Sequence, residues 1–260
     1  MISSSLDYVT VTEVADDEVT REQIERMARR YSWAAPYCRG RRVLEVACGT
    51  AQGVGYLMSH AASFAAGDIS WPLLSKAKAH YANRCPFVQF DAEFLPFAAG
   101  TFDVIIIFEA IYYLSRIDDF LAECRRVAPR GTLLIATANK DLFDFNPSPH
   151  SHEYYGVVEL DRLLRKHRFV PEFYGDTSVG KVSLRQRILR PAKATAARLR
   201  LIPRSMGAKK LLKRLVFGGL TKMPREIDPH VDAEARPLRL RHDVADSGHK
   251  VIFCAATSQT

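Results

Sequence analysis

Short apolar runs alternate along most of the chain with longer stretches in which apolar residues recur every three or four positions. The apolar runs predict strands at 42–47, 63–69, 87–90, 102–108, 132–137, 170–174 and 250–256. The stretches between them predict helices at 20–38, 53–62, 72–83, 117–127 and 159–167. Residues 1–18 are polar and acidic and predict a loose arm or an edge strand. Strands that alternate with helices in this way predict an α/β fold with a mainly parallel sheet.

The composition narrows the class of protein. The chain has 260 residues, 47% of them hydrophobic and 25% charged, which excludes disordered and fibrous proteins. No apolar run approaches the roughly 20 residues that a membrane helix needs, and the first residues do not resemble a secretory signal. Five cysteines without a C-x-x-C pair argue against a disulfide framework and a zinc site. We therefore expect a cytoplasmic protein without a metal.

The positive charge is concentrated in one segment. Between Lys181 and Arg225 there are 14 basic residues and no acidic one, although the net charge of the whole chain is only +8. Amphipathic basic helices here could pack on the core, contact an anionic membrane as a peripheral protein, or cover an anionic small molecule. RNA binding is disfavoured, because Phe217 is the only aromatic residue of the segment available for base stacking.

Three acids mark the ends of the first three long strands. Glu45, Asp68 and Asp91 follow one another at intervals of 23 residues, about one strand–helix–strand step, so they should meet at one edge of the sheet. Residues 45–53 have small side chains at positions 47, 49, 51 and 53, but they fit neither a dinucleotide fingerprint nor a phosphate loop. The pattern therefore favours a cationic ligand that carries a ribose.

Several segments then resemble, in order, the motifs of the class I S-adenosylmethionine-dependent methyltransferases, in the branch that includes ubiquinone/menaquinone-type enzymes with a type 11 methyltransferase domain. They are VLEVACGTAQG at 43–53, GDIS at 67–70, DAEFLPF at 91–97, TFDV at 101–104 and RRVAPRGTLLI at 125–135. The resemblance implies a Rossmann-like, seven-stranded, mainly parallel sheet with helices on both faces and a basic helical insertion before the last strand. It also implies an N-terminal helix that covers the cofactor.

The resemblance further implies that S-adenosylmethionine is the cofactor and S-adenosylhomocysteine the product. Glu45 and Gly49 would then line the methionine end, Asp68 would bind the ribose, and Ile69, Asp91 and Ala92 would meet the adenine. Phe108 would face the sulfonium. Further cofactor contacts are expected at Tyr31, Ala47 and Gly53. Ala47 and Ala51 stand where the family usually has glycine.

Two places offer candidate catalytic residues. Glu109 and Tyr113 follow the fourth long strand, and His150 and His152 lie in the loop after the fifth. Either histidine could be a general base, because an unperturbed imidazole titrates near neutral pH. The alternative is that both are ordinary loop histidines.

These observations predict three parts: an N-terminal arm and cofactor-covering helix at 1–41, a cofactor-binding core at 42–178 with 249–260, and a basic insertion at 179–248. The expected function is methyl transfer to oxygen or nitrogen of a small-molecule or saccharide acceptor, as in natural-product or glycan biosynthesis. The alternatives are a carbon methyltransferase of a lipid quinone at the inner membrane surface and a non-catalytic module that binds membranes or RNA.

Overall fold

The structure is a computed structural model that describes residues 8–10, 12–179, 219–228 and 237–259. Its helices are α1 (Arg21–Cys38), α2 (Val54–Met58), α3 (Trp71–Tyr81), α4 (Ile117–Val127) and α5 (Val157–Lys166). Its strands are β1 (Glu18–Val19), β2 (Arg42–Val46), β3 (Ser63–Asp68), β4 (Phe87–Gln89), β5 (Val104–Phe108), β6 (Thr132–Ala138), β7 (Phe169–Ser178), β8 (Thr221–Lys222), β9 (Leu238–Leu240) and β10 (His249–Ser258). The helices expected within 181–218 lie outside the described residues.

One large sheet organises the chain, with the strand order β4-β3-β2-β5-β6-β10-β7-β9. The first five strands are parallel, and β10 runs antiparallel between β6 and β7. The predicted Rossmann-like, mainly parallel fold is therefore confirmed. The described residues add an eighth strand to the seven expected, because the three-residue β9 pairs with the outer edge of β7.

Both faces of this sheet are covered, which explains why the strands read as unbroken apolar runs. Val43 and Leu44 are neighbours in β2, yet they belong to opposite cores, since successive strand residues point to opposite faces. Helices α1, α2 and α3 pack on the face of Val43, and α4 and α5 pack on the face of Leu44. The predicted layer of helices on each face is present.

Helix boundaries follow local hydrogen bonding. Thr20 and Gln23 form the capping box expected at the start of α1. Helix α2 ends at Met58, four residues before its predicted end, because the chain turns back there to meet β2: the Gly40 N–H donates to the His60 carbonyl at 2.9 Å. The turn that precedes α2, residues 47–53, lies at the carboxyl end of β2.

Two segments outside the sheet lie beside that turn. In the arm, β1 pairs antiparallel with β8, so the expected arm contains a short strand whose partner lies near the C-terminal end of the basic segment. Met223 and Ile227 are buried in the core, and the Ile227 N–H donates to the Gln52 carbonyl at 2.9 Å. Within the described ranges, no helix combines the length and the apolarity needed to cross a membrane.

Candidate active site

A cavity of about 1150 Å³ opens at the carboxyl edge of the parallel strands. Its wall includes twelve of the fourteen site residues predicted from the sequence: Tyr31, Glu45, Ala47, Gly49, Asp68, Ile69, Asp91, Ala92, Phe108, Glu109, Tyr113 and His152. Gly53 and His150 are not part of the wall. The strand ends thus bring most of the candidates to one place, as their spacing predicted.

The turn after β2 contains three residues in the left-handed region, with φ of 55° at Ala47, 57° at Gly49 and 65° at Ala51. Glycine adopts this conformation freely, whereas an alanine is strained by about 1–2 kcal/mol. At Gly49 a Cβ atom would also lie 3.2 Å from the Thr12 methyl group. The turn therefore brings bare backbone to the cavity wall, at the cost of strain in its two alanines.

The carboxylate of Asp68, at the end of β3, is held by backbone donors. Its Oδ2 accepts the Gly49 N–H and its Oδ1 accepts the Ser70 N–H, both at 2.8 Å. Burial raises the pKa of Asp68, while these N–H groups oppose the rise. Each oxygen keeps acceptor capacity, because a carboxylate oxygen can accept two hydrogen bonds. Asp68 can therefore bind two neighbouring hydroxyl groups, as a ribose presents them.

The far end of the cavity is formed by the segment after β4. Asp91 Oδ1 accepts the Glu93 N–H at 2.9 Å, and Glu93 accepts the Arg116 N–H at 2.7 Å, which fixes the loop. Trp71, at the start of α3, and Phe94 also line the cavity and are 51% and 60% exposed. This end combines an acidic side chain with apolar surface and suits a planar base with an amino group.

Glu45 also lines the cavity and is 2% exposed. Its Oε1 accepts the Tyr31 hydroxyl at 2.5 Å, and its Oε2 has no partner among the described residues. Burial raises the pKa of Glu45 to about 7, and the Tyr31 hydrogen bond partly opposes the rise. A buried carboxylate oxygen without a partner is costly and matches a ligand that carries a positive charge or an N–H donor.

Tyr31 explains the position of Gly53. A Cβ on Gly53 would lie 2.1 Å from the Tyr31 ring, so this glycine makes room for the ring instead of facing the cavity. The Tyr31 ring also packs edge-on against the Phe108 ring, with the ring centroids 5.2 Å apart. The direct cofactor contact expected at Gly53 remains a prediction, and the structure indicates an indirect role through Tyr31.

The other half of the cavity follows β5. Glu109 has φ of 52°, an uncommon conformation that favours glycine. The Tyr112 hydroxyl donates to its Oε2 at 3.3 Å, and a guanidinium nitrogen of Arg30 lies 3.7 Å from its Oε1. The hydroxyl groups of Tyr113 and Ser148 are hydrogen-bonded at 2.7 Å. A carboxylate, two phenols and a guanidinium therefore lie together where an acceptor would approach.

The two histidines differ in position. His152 is exposed but lines the cavity, and its backbone N–H donates to the Tyr112 carbonyl at 2.8 Å. His150 is exposed, has φ of 67°, and lies outside the wall. Of the two, only His152 is placed to reach a molecule in the cavity without movement of the loop.

The sequence analysis did not single out Tyr8, Glu13 and Arg30, which also line the cavity. The Tyr8 ring lies edge-on against Tyr113, with the centroids 5.4 Å apart. Arg30 is 7% exposed and bonds to Glu13 at 3.3 Å. The one sequence signal for Arg30 was its position on the otherwise apolar face of α1, one residue before Tyr31.

Comparisons with known proteins agree with this geometry. The sequence model of a family described as a methyltransferase domain matches residues 44–136. A phthiotriol/phenolphthiotriol dimycocerosates methyltransferase of Mycobacterium ulcerans is 32% identical over 149 residues, which are 56% of this chain and 52% of that protein. A ubiquinone biosynthesis O-methyltransferase of Mesorhizobium japonicum is 32% identical over 126 residues, 47% and 51% of the two chains.

The chain thus spans about half the length of these curated relatives. Among solved structures, a SAM-dependent methyltransferase from Aquifex aeolicus superposes with a TM-score of 0.52 at 20% identity, over 64% of this chain and 90% of that one, which supports the fold. The cavity also fits S-adenosylmethionine, since Asp68 and the unpartnered Glu45 oxygen complement a ribose and a cation. Residues 44–136 thus match a methyltransferase domain, and the chain is similar in sequence to curated methyltransferases over about half of its length.

Proposed function

We propose that this chain transfers a methyl group from S-adenosylmethionine to oxygen or nitrogen of a small-molecule or saccharide acceptor. The observation that carries the proposal is a single cavity, lined by Glu45, Asp68 and Asp91 on one side and by Glu109, Tyr113 and His152 on the other. The first group suits the cofactor, and the second suits an acceptor that must lose a proton.

In the cofactor half, S-adenosylmethionine supplies an activated methyl group when it is bound. The Asp68 carboxylate would bind the ribose hydroxyls, and Asp91 with Ala92 would bind the adenine. Glu45 would offer its unpartnered oxygen to the positively charged end, with Tyr31 holding the carboxylate in place. These residues orient the methyl group, and alignment is the main contribution expected of an enzyme whose electrophile is already activated.

In the acceptor half, Glu109 is the residue that we assign to accept the acceptor's proton. It directly follows β5 and lines the cavity with its side chain 26% exposed, and a guanidinium nitrogen of Arg30 lies 3.7 Å from its Oε1. Tyr113 would position the acceptor by a hydrogen bond. His152, on the rim, is the alternative base, and it would serve acceptors that extend toward the 146–155 loop.

A lipid acceptor is the second candidate, because one relative is named for phthiotriol dimycocerosates and another for ubiquinone biosynthesis. Aromatic rings of Tyr8, Phe108, Tyr112 and Tyr113 provide apolar surface beside Glu109. Contact of the basic segment 181–225 with an anionic membrane would fit this candidate, but most of the segment lies outside the described residues.

Calorimetric titration with S-adenosylhomocysteine tests the cofactor half without knowledge of the acceptor. Wild type should bind, and Asp68→Ala should bind more weakly by about 1–3 kcal/mol, since hydrogen bonds to a charged group are lost. Arg241→Ala is the control, because Arg241 is exposed and pairs with Asp243 away from the cavity. Unchanged affinity of the Asp68 variant would remove Asp68 from the site.

An acceptor screen with wild type and Glu109→Gln then tests the acceptor half. Release of S-adenosylhomocysteine would be measured with hydroxylated sugars, phenols and hydroxylated lipids. With the true acceptor, Glu109→Gln should lower kcat by about 10²–10⁴-fold while cofactor affinity stays within a factor of a few. If His152→Ala lowers kcat instead, the base is His152.

A further inference from the structure

We infer that Arg30 is a positioning residue that couples closure of the N-terminal arm over the cofactor to the placement of Glu109. This inference rests on the proposed function, because it gives Glu109 its role at the acceptor. It adds a residue, and a link between two parts of the site, that neither the family resemblance nor the relatives supply.

Arg30 lies between two carboxylates that come from different parts of the chain. One guanidinium nitrogen is 3.3 Å from Glu13 Oε2, and the other is 3.7 Å from Glu109 Oε1. The Arg30 side chain is 9% exposed, and its Nε is buried without a partner in the described structure. A buried guanidinium that loses one of two carboxylates is left undercompensated, so the two contacts depend on each other.

Glu13 fixes the arm. Its carboxylate also accepts the Gln23 side-chain amide at 3.1 Å, and its carbonyl accepts the Gln52 side-chain amide at 2.7 Å. Two residues further on, the Ala15 N–H donates to the Thr50 hydroxyl at 3.1 Å. The arm is therefore held against the turn that follows β2, where the cofactor is expected to lie, and Glu13 is its contact with Arg30.

Charge supports this arrangement. Burial alone would raise the pKa of Glu13, yet Arg30 and Arg26 lower it overall. Arg30 in turn has its pKa raised by Glu13 and Glu109 against the effect of burial. On the other side of Arg30, Glu109 is in a left-handed backbone conformation that needs support from its surroundings. The guanidinium supplies that support only while it stays in place.

The experiment is a double-mutant cycle on binding of S-adenosylhomocysteine, which requires no acceptor. Glu13→Gln and Glu109→Gln each remove one carboxylate charge with little change in shape. We expect Glu13→Gln to raise Kd about tenfold, mainly through faster dissociation, and Glu109→Gln to raise it less. The fold-increase in Kd of the double variant should be clearly smaller than the product of the two single increases. Independent, multiplicative effects would overturn the coupling.

Two further variants separate positioning from general stability. Arg30→Lys keeps the charge, and its Kd for S-adenosylhomocysteine should stay within about threefold of wild type. The Kd of Arg30→Met, which lacks the charge, should rise by more than that. Glu25→Gln is the matched control, since Glu25 is likewise a carboxylate in an ion pair, with Arg21 at 2.9 Å, and neither residue lines the cavity. An effect of Glu25→Gln as large as that of Glu13→Gln, or no rescue by lysine, would refute the assignment.

The outcome also distinguishes this inference from the proposed function. If wild type and Glu13→Gln bind S-adenosylhomocysteine equally well, the cofactor site is intact and the role assigned to Arg30 is refuted. Failure of wild type to bind would count against the proposed function itself. Hydrogen exchange of residues 12–19 provides a second readout, because ligand should slow exchange there in wild type and much less in Arg30→Met.

Discussion

Glu45 provides a sharp test of whether a residue is kept for function at the expense of stability. Burial raises its pKa from an ordinary 4.5 to about 7. A raised carboxyl pKa means that the folded protein holds the proton more tightly than the unfolded chain does. The stability associated with this proton is fully present below the unfolded pKa and is lost as the pH rises toward 7.

The size of the effect follows from the shift. At about 1.4 kcal/mol per pH unit, the rise in pKa corresponds to roughly 3 kcal/mol lost between about pH 4.5 and pH 7. Glu45→Gln keeps an oxygen that can accept the Tyr31 hydroxyl and removes the charge. Near pH 5 the variant and wild type should have similar stability, and near pH 8 the variant should be more stable by up to about 3 kcal/mol.

Urea unfolding of both proteins across this pH range measures the difference, and other titrating groups largely cancel because both chains share them. Glu22→Gln gives a control of opposite sign. Burial raises the pKa of Glu22, but contact with Lys250 lowers it by more, so the charge of Glu22 stabilises the fold at neutral pH. The same Glu45→Gln protein should bind S-adenosylhomocysteine more weakly. A difference in stability that does not change with pH would refute the reasoning.

Three further substitutions test the fold around the site by thermal or urea unfolding. Ala47→Gly should stabilise the chain by about 0.5–1 kcal/mol, because relief of left-handed strain exceeds the entropy cost of glycine; a destabilised variant would mean that the Ala47 methyl packs better than its strain costs. Asn139→Ala should cost roughly 2–3 kcal/mol, since its side-chain amide bonds to Asp246 and to the His249 carbonyl at 2.9 Å. Met223→Ala should cost about 2–5 kcal/mol, as for a fully buried side chain, and a negligible loss would mean that residues 219–228 are not integral to the core.

The parts of the fold that the sequence predicted well are those fixed by local pattern. Helix α4 has the predicted bounds, 117–127, because its apolar residues face one core and acids and bases occupy its two ends. Strands β2 and β5 were evident as short, mostly apolar runs, because residues 43–46 and 104–108 are all buried. Pattern was insufficient for α2, whose end depends on the hydrogen bond between Gly40, before β2, and His60, before β3.

The site residues likewise divide into those that sequence spacing could place and those that it could not. Asp68 and Asp91 could be placed from spacing alone, because the carboxyl ends of neighbouring parallel strands meet at one edge of the sheet. The contact between Arg30 and Glu13 could not, since it depends on how the arm folds back across 17 positions onto α1. The two histidines of one loop could not be ranked from sequence either, because only the loop's path places His152, and not His150, at the cavity.

This division has a physical origin that bears on acceptor choice. The cofactor half is built from strand ends and a tight turn, where backbone geometry leaves few alternatives. The proposed acceptor half combines side chains from three separate places: Arg30 on α1, Glu109 after β5 and His152 in the 146–155 loop. Each can change without disturbing the sheet. Substitutions there should therefore alter kcat/KM among acceptors while S-adenosylhomocysteine affinity stays nearly constant, except at Arg30 and its partner Glu109, where the arm connects the two halves.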